Sequence, residues 1–377
     1  MKIPTYRPTY AEIDLSAIRH NFLQFRKLAG SSVKILVAVK ANAYGHGMLG
    51  VCRALEACGV DYFGVGSIDE AIELKKFNLG VPILNLTAIT EKEIPALLDS
   101  RIIQTVPGLK LAKAINRVAE KKKTKVKIHL KIDTGMGRLG VWHSEAVHFA
   151  EEVLGMKHLA VEGIFTHFAS ADDNIDFTGE QIENFINLLN ELEQKGVYIK
   201  YKHTANSAGA VTCKDAHFNI IRPGIMIYGL YPNMELKKTI TLRPALTLKS
   251  KICYIKDTPS GRQISYGGTY ITKRNTKIAV LPIGYADGYN RLLSNKGSVL
   301  VRGQRAPIVG RVCMDQIMVD VGHIKDAAVD DEVVLIGAKG KERITAEEIA
   351  FICGTIPYEV VCWISSRVPR VYKGAKK

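Results

Sequence analysis

The sequence predicts a (β/α)₈ barrel followed by a smaller, mostly β domain. Eight short segments rich in β-branched residues alternate with helical patterns over the first two thirds of the chain, and eight is the strand count of such a barrel. After about residue 242, short strand patterns are separated instead by Gly, Asn and Asp turns. We therefore expect a barrel domain over residues 1–242 and a mostly β domain over residues 243–377.

The predicted barrel strands share a high content of Val, Ile, Phe and Tyr. They span residues 33–40, 62–67, 81–87, 102–106, 126–133, 161–169, 198–205 and 218–223. Apolar residues at helical spacing lie between most of them, as at Phe185, Leu188 and Leu192. Ser144 is expected to begin one of these helices. An open doubly wound sheet is the alternative, but it often carries a glycine-rich fingerprint after its first strand, and none follows Lys40.

The second domain is expected to contain short strands and a single convincing helix. That helix is expected to begin at Thr345, because Thr345 and Glu348 have the spacing of a capping box.

The composition is that of a folded globular protein with an excess of positive charge. The 377 residues are 47% hydrophobic, and 52 Lys and Arg against 37 Asp and Glu give a net charge of +15. No apolar run is long enough to span a membrane, and the N-terminus lacks the apolar region of a secretory signal. The seven cysteines form no C-x-x-C pair, which favours reduced thiols and a cytoplasmic location.

The basic runs 121–125 and 373–377 suggest nucleic-acid binding only weakly, because no nucleic-acid-binding motif accompanies them. Solvated lysines at a helix end and a chain terminus explain them better. We expect the charge excess to attract small anionic ligands instead.

Reactive side chains follow the predicted barrel strands, and in a barrel the C-terminal ends of the strands meet at one mouth. The residues concerned are Lys40, Lys131, Arg138, His167, His203, Asn206, Ser207, Arg222, Gly224 and Ile225. Each alone has an ordinary explanation, such as a solvated lysine, an interior histidine or an arginine in a salt bridge. Their convergence at one mouth favours a functional site.

Lys40 is the candidate for covalent chemistry. Val37, Ala38 and Val39 precede it, so its amine is expected to lose hydration, and the resulting lower pKa would let it form a Schiff base. Pyridoxal phosphate (PLP) is the usual cofactor for an imine-forming lysine in amino-acid chemistry.

Two further groups fit this cofactor. Ser207 and backbone N–H groups near Gly224 are expected to hold its phosphate at the barrel position where phosphate often binds. Arg222 keeps its protons at any working pH, so it can only donate to an unprotonated pyridine nitrogen. Such a ring stabilises a carbanion less than a protonated ring does, which suits reversible proton removal at Cα.

The motifs that carry these residues resemble the alanine racemase family, a fold type III group of PLP enzymes. In the first domain they are AVKANAYGHG, KIDTGMGRLG, FTHFASAD, HTANSAG and IRPGIMIYG. In the second they are ISYGGTY, PIGYADGYNR, VGRVCMDQIMVD and IPYEVVCWISSRVPRVY. The resemblance runs in order from TYAEIDL near the start to Tyr372.

The resemblance implies an isomerase that interconverts L- and D-alanine and supplies D-alanine for the cell wall. Lys40 would carry the cofactor and act as the base on the D-alanine face. Tyr266 would be the opposite base, reaching in from the second subunit of a homodimer, because inversion needs a base on each face.

The remaining roles are implied residue by residue. The cofactor would contact Lys40, Tyr44, Arg138, His167, His203, Asn206, Ser207, Arg222, Gly224, Ile225 and Tyr358, with His203 backing Arg222. The substrate carboxylate would meet Arg138 and, from the partner chain, Met314 with Cys313 and Asp315. Tyr285 would narrow the entrance. Lys131, often carbamylated in the family, would orient Arg138. No metal site is expected.

Several alternatives remain open at this point. A racemase for another small amino acid such as serine would share these motifs, because pocket size cannot be read from sequence. A non-catalytic PLP-binding protein would match only the first ~230 residues of the pattern. A decarboxylase of the same fold type would need an acidic residue where Arg222 stands. Membrane binding is not expected.

Overall fold

The computed structural model describes residues 6–374 and divides the chain into two compact units. The barrel unit comprises Ala17–Ala43 and Met48–Arg243. The sheet unit comprises Met1–Ser16, Tyr44–Gly47 and Pro244–Lys377, as far as these are described. The last residues of the basic run 373–377 and the first five residues of the chain lie outside the described residues. Strand β1 (Tyr10–Asp14) opens the described chain and belongs to the sheet unit.

Eight parallel strands form the wall of the barrel unit. They are β2 (Lys34–Ala38), β3 (Tyr62–Val65), β4 (Ile83–Asn85), β5 (Ile103–Val106), β6 (Val126–Asp133), β8 (Leu159–Phe165), β9 (Tyr201–His203) and β10 (Ile220–Ile221), while the two-residue β7 (Val141–Trp142) pairs with β6. The order is β10-β2-β3-β4-β5-β6-β8-β9. The Arg222 N–H donates to the Ala205 carbonyl at 2.9 Å, which links the two ends of this order. The predicted barrel is therefore confirmed, and the open sheet is not formed.

Helices follow most of the barrel strands. They are α1 (Leu15–Ala29), the short turn α2 (Lys40–Tyr44), α3 (Met48–Glu56), α4 (Ile68–Lys75), α5 (Ile94–Ser100), α6 (Leu109–Lys121), α7 (Ala146–Leu154), α8 (Ile175–Gln194) and α9 (Ser207–Thr212). The prediction that Ser144 begins a helix was wrong. Ser144 lies in a 3₁₀ turn, and α7 begins at Ala146 after an N-cap at Glu145.

Strands β3, β5 and β6 are buried along nearly their whole length, because helices cover one face of the wall and the opposite wall covers the other. Near the start of the strands, Leu36, Tyr62, Leu84, Ile103 and Ile220 form one apolar cluster. This cluster fills one end of the barrel, which leaves the other end for polar side chains.

The sheet unit is mostly β, as predicted. Its further strands are β11 (Leu246–Lys251), β12 (Tyr254–Thr258), β13 (Gln263–Ile264), β14 (Tyr270–Ile271), β15 (Thr276–Leu281), β16 (Ser298–Val301), β17 (Gln304–Pro307), β18 (Ile317–Asp320), β19 (Glu332–Lys339), β20 (Glu342–Ile344) and β21 (Arg370–Lys373). The largest sheet runs β17-β16-β19-β11-β1-β21, with β20 beside β19. A second sheet runs β12-β15-β18, and β13 pairs with β14.

Two helices interrupt these strands, where the sequence predicted one. Helix α10 (Ala346–Cys353) has Thr345 as its N-cap, and the Thr345 side chain accepts a hydrogen bond from the Glu348 N–H, as predicted. Helix α11 (Pro357–Trp363) was missed because it has only seven residues, although Pro357 at its first position is a common helix start. Within residues 6–374, no helix has both the length and the apolar character needed to cross a bilayer.

Candidate active site

The C-terminal ends of the barrel strands carry the predicted reactive residues. Lys40 stands two residues past β2, His167 two past β8, and Arg222 directly after β10. His203 is the last residue of β9. Because the strands are parallel, these ends share one mouth of the barrel.

Arg222 is a deeply buried cation of this group, with only 5% of its surface exposed. Its guanidinium donates to the carbonyls of Thr166 and Thr204, both at 2.8 Å. It also donates to the Nδ1 atoms of His203 at 3.0 Å and His167 at 3.2 Å. These four acceptors are neutral groups, so the positive charge is held by dipoles and not by an acidic partner. Burial alone lowers the pKa of Arg222 to about 9.

A chain of imidazoles leads from Arg222 into the barrel. Because Arg222 can only donate, His203 accepts at Nδ1 and carries its proton on Nε2, which lies 2.8 Å from Nδ1 of His129. Burial, and then the charge of Arg222, lower the pKa of His129 to about 3 and hold the pKa of His203 well below its ordinary value. All members of this chain except Arg222 are therefore neutral.

His167 is held in the same electrostatic environment. Its pKa lies well below the ordinary histidine value. Burial is the largest cause, followed by the positive charges of Arg222, Lys131, Arg138 and Lys40. The contribution of Lys40 means that its amine lies near enough to His167 for their charges to interact.

Ser207 and Gly224 meet as predicted, but their contact differs from the expected one. The Gly224 N–H donates to Ser207 Oγ at 2.7 Å, so this N–H is already used within the protein and the hydroxyl keeps its own O–H for donation. The side chain of Asn206 accepts from the Gly209 N–H and caps α9, which fixes the start of this segment. Ile225 follows Gly224 and is fully buried.

Lys40 differs from its prediction in one respect. Val37 and Val39 are fully buried, but Lys40 itself is exposed in the single chain, because it follows the strand and leaves the barrel wall. The chain then makes a left-handed turn, with φ of 52° at Ala41, 53° at Asn42 and 55° at Ala43. Left-handed backbone costs about 1–2 kcal/mol per ordinary residue. The segment after Lys40 is therefore strained.

Lys131 is almost completely buried within β6, with its amine over the ring of Phe165 at 5.1 Å. Burial, and then the charge of Arg222, lower the pKa of Lys131 to about 7. The carboxylate of Asp133 accepts the N–H groups of Gly135, Gly137 and Arg138 at 2.9–3.1 Å. Asp133 thereby fixes the loop that carries Arg138, whose own side chain is exposed.

In the sheet unit, the two tyrosines predicted to bind phosphate are neighbours. The ring centroids of Tyr44 and Tyr358 lie 6.4 Å apart. The Tyr44 carbonyl accepts from Nδ1 of His46 at 2.7 Å. Gly45 packs so closely on Val361 that a Cβ would lie 2.1 Å from its carbonyl oxygen, which explains the glycine at this position.

The residues predicted to act on a partner chain also form one cluster in the sheet unit. Ser265, directly before Tyr266, donates to the Arg311 carbonyl at 2.7 Å and contacts Cys313 Sγ at 3.4 Å. The Tyr285 N–H donates to the Cys313 carbonyl at 3.0 Å. The side chains at the tip are exposed in the single chain, by 71% for Tyr266, 53% for Met314 and 43% for Tyr285. Asp315 forms an ion pair with Arg367 at 2.6 Å.

Sequence reasoning missed three residues that organise this site. His129 carried no signal, because a histidine within a strand is usually an interior residue. Asp133 had a usable signal, since Asp followed by Gly two residues later favours a side-chain-to-backbone turn. Glu70, which accepts the Ala41 N–H at 2.6 Å, had none because the two residues lie 29 positions apart. Among the described residues, no group of three or more His, Cys, Asp or Glu side chains could hold a metal ion.

Comparison with known proteins agrees along the whole chain. The family model for the alanine racemase N-terminal domain matches residues 13–232, and that for the C-terminal domain matches residues 245–372. The alanine racemase of Halothermothrix orenii is 48% identical over 97% of this chain and 97% of its own length. Alanine racemase 2 of Caldanaerobacter subterraneus subsp. tengcongensis is 47% identical over 97% of this chain and 95% of its own.

Solved structures give the same result. The alanine racemase structure from Clostridium difficile 630 has a TM-score of 0.93 and 41% identity, covering 99% of this chain and 97% of that one. The predicted resemblance is thus confirmed in both domains, and this chain belongs to the alanine racemase family of isomerases.

Proposed function

We propose that the protein interconverts L- and D-alanine with PLP held covalently on Lys40. The observation that carries this proposal is the buried guanidinium of Arg222, which is surrounded by neutral acceptors at the same barrel mouth as Lys40. The alanine racemases that are 41–48% identical over nearly the whole chain support the substrate.

The residues at the mouth fit the cofactor. A phosphate needs hydrogen-bond donors, and Ser207 keeps its O–H for this purpose. Gly224, which contacts Ser207, and Ile225 form the start of the neighbouring 3₁₀ turn. Tyr44 and Tyr358 would contribute hydroxyls to the phosphate, and Asn206 keeps the start of α9 in place. Arg138 would face the phenolic oxygen, and His167 would lie along the ring.

Bound PLP supplies an electron sink for the charge left on Cα when the α-proton leaves. Arg222 would limit that sink, because it would donate a hydrogen bond to the ring nitrogen and keep its own proton. His203, whose Nδ1 accepts from Arg222, helps to hold the guanidinium in its position. The reaction is thereby directed to reversible proton transfer.

Inversion requires two bases on opposite faces of Cα. We assign the D-alanine face to Nζ of Lys40 and the L-alanine face to the Oη of Tyr266. In each direction of the reaction, one of these two bases removes the α-proton and the other donates a proton to the opposite face of Cα. Arg138, with Met314 of the partner chain, would hold the substrate carboxylate so that only the Cα–H bond changes.

We further propose a homodimer in which Tyr266, Met314 and Tyr285 serve the site of the second copy. Their large exposure in the single chain supports this, because a catalytic tyrosine needs a surrounding pocket. Lys131 would be carbamylated, since an amine with a pKa of about 7 is substantially unprotonated and nucleophilic at neutral pH. The resulting anion would orient Arg138.

The biological setting belongs to the same proposal. We assign the PLP-binding role to residues 1–242 and the partner-facing role to residues 243–377. A cytoplasmic location is supported by the seven cysteines, which form no C-x-x-C pair. D-Alanine for cell-wall synthesis is the proposed product.

The decisive experiment follows both chirality and α-proton exchange. Purified protein supplied with PLP is incubated in deuterated water with each enantiomer of alanine and of serine. Racemisation of alanine with deuterium at Cα is expected, together with a cofactor that borohydride fixes to a Lys40 peptide. A label on another lysine, or no exchange with any amino acid, would refute the proposal. Faster turnover of serine would change the substrate and leave the chemistry intact.

The second base is tested with Tyr266→Phe and the matched control Tyr270→Phe from the adjoining hairpin strand β14. Tyr266→Phe should lose at least ~100-fold in racemisation while still binding PLP, and Tyr270→Phe should keep its rate. Mixing Lys40→Ala with Tyr266→Phe protein should restore about a quarter of the activity if sites are shared, because half of the dimers then hold one intact site. No recovery after proven subunit exchange would contradict sharing.

A further inference from the structure

The side chain of Glu70 connects two backbone segments next to Lys40. Its Oε1 accepts the Ala41 N–H at 2.6 Å, and its Oε2 accepts the Gly66 N–H at 2.8 Å. The backbone of Glu70 is itself fixed in the first turn of α4, where its N–H donates to the capping Oγ of Ser67 at 3.1 Å. Both carboxylate oxygens are thus engaged from a rigid position.

The Ala41 N–H belongs to the peptide bond that follows Lys40. A hydrogen bond to this N–H fixes the orientation of that peptide plane and so the backbone torsion ψ of Lys40. This torsion decides the direction in which the chain leaves β2 and therefore where the Lys40 side chain begins. Glu70 acts on Lys40 through this peptide.

The fixed peptide is the first of a strained segment. Ala41, Asn42, Ala43 and Tyr44 all have φ between 50° and 55°, in the left-handed region that residues with a Cβ disfavour. Strained backbone persists only where surrounding contacts hold it. Inside the barrel unit these contacts include the Ala43 N–H to the Val39 carbonyl at 2.8 Å, the Met48 N–H to Asn42 Oδ1 at 2.8 Å, and Glu70. Glu70 holds the end nearest Lys40.

Gly66, the residue directly after β3, lies close to Lys40. A Cβ on Gly66 would lie 3.4 Å from Cβ of Lys40 and 3.4 Å from Oε2 of Glu70. The carboxylate therefore ties Gly66, the residue after β3, to Ala41, the residue after Lys40, with the stem of Lys40 beside Gly66.

We propose that Glu70 is a positioning residue that sets the direction of the Lys40 side chain by locking the Lys40–Ala41 peptide, an inference that rests on the proposed function. Two acceptor oxygens are needed because two N–H groups point at the side chain. A glutamine has one oxygen, so one N–H would face an NH₂ group. The charge-neutral variant of the same size therefore breaks the lock and keeps the volume.

The lock is tested first without any cofactor. Amide hydrogen exchange at Ala41 and Gly66 is measured in the full-length wild-type chain, in Glu70→Gln, and in Glu73→Gln, which alters an exposed residue on the same helix. At least one of the two amides should exchange about 10- to 100-fold faster in Glu70→Gln than in the other two proteins. Equal exchange in all three would overturn the lock.

Positioning is tested by the rate at which PLP and cyanoborohydride label Lys40, read from the mass of the Lys40 peptide. Glu70→Gln should be labelled about 10-fold or more slowly than Glu73→Gln at equal melting temperature. The primary deuterium isotope effect on racemisation by Glu70→Gln should rise more for D-alanine, whose α-proton Lys40 removes, than for L-alanine. Unchanged labelling, or equal changes for both enantiomers, would overturn the proposal.

The outcomes separate this inference from the proposed function. A wild-type chain that labels Lys40 but does not racemise alanine refutes the function and leaves the labelling comparison valid. A wild-type chain that racemises alanine, with a Glu70→Gln variant that behaves like Glu73→Gln, refutes the inference alone. If Glu70→Gln does not fold, Glu70→Asp carries the same expectation, because the shorter carboxylate cannot span both N–H groups.

Discussion

Removing carbon dioxide should reverse the proposed carbamylation of Lys131. Burial, and then the charge of Arg222, lower the pKa of this amine from 10.5 to about 7. At pH 7 about half of the Lys131 amine is then unprotonated, against about 0.03% for a lysine with the ordinary pKa. The nucleophilic form is enriched more than ~1,000-fold, so Lys131 should add carbon dioxide to its nitrogen and release one proton.

The lowered pKa also means that a protonated, unmodified Lys131 amine lowers the free energy of unfolding. Between pH 7 and 10.5 the unfolded chain binds a proton that the folded chain does not, so the free energy of unfolding rises with pH in this window. The whole difference corresponds to roughly 5 kcal/mol. A carbamate removes the buried cation and should therefore stabilise the folded chain near neutral pH.

The assay uses ¹³C-labelled bicarbonate and carbon NMR of the intact protein, with and without degassing. The matched control is Lys127→Gln, because Lys127 lies on the same strand, is exposed, and pairs with Glu162 at 2.7 Å. A carbamate signal should appear in wild type and Lys127→Gln, vanish in Lys131→Gln, and fall on degassing together with the melting temperature. A signal that survives in Lys131→Gln, or none in wild type, would refute the reasoning.

Three further outcomes are expected. Gly163→Ala should cost about 1–3 kcal/mol in urea unfolding, since its Cβ would lie 2.5 Å from Nδ1 of His129, whereas Gly179→Ala, with open space, should not destabilise the chain. The ring of His129 should show no protonation in an NMR titration down to about pH 4, because burial lowers its pKa to about 3; a midpoint near 6.5 would contradict this burial. Burial raises the pKa of Asp133, but hydrogen bonds from three backbone N–H groups outweigh burial and lower it below its ordinary value. The stability that Asp133 contributes is therefore present above pH 3.8 and lost as the pH falls further. In Asp133→Asn, the free energy of unfolding should change less with pH in that acidic window.

Much of the barrel could be predicted from the sequence, because buried parallel strands leave continuous apolar runs that need no tertiary information. The residues at the strand ends, such as Lys40, His167 and Arg222, could also be grouped, since parallel strands bring their C-terminal ends together. Short elements were harder. Helix α11 and the start of α7 depend on one or two local contacts that a pattern of this length does not specify.

By itself, the sequence determined which residue types lie at the barrel mouth. It also determined that the residue expected to face the ring nitrogen of the cofactor is Arg222 and not an acidic residue. Only the tertiary structure decided how those residues are held: the Arg222–His203–His129 chain and the Glu70 contact join positions that are far apart along the chain. The physical reason is that apolar periodicity is repeated over many residues and survives local variation. A hydrogen bond between distant residues depends instead on distances of a few tenths of an ångström, which are fixed only when the whole barrel closes.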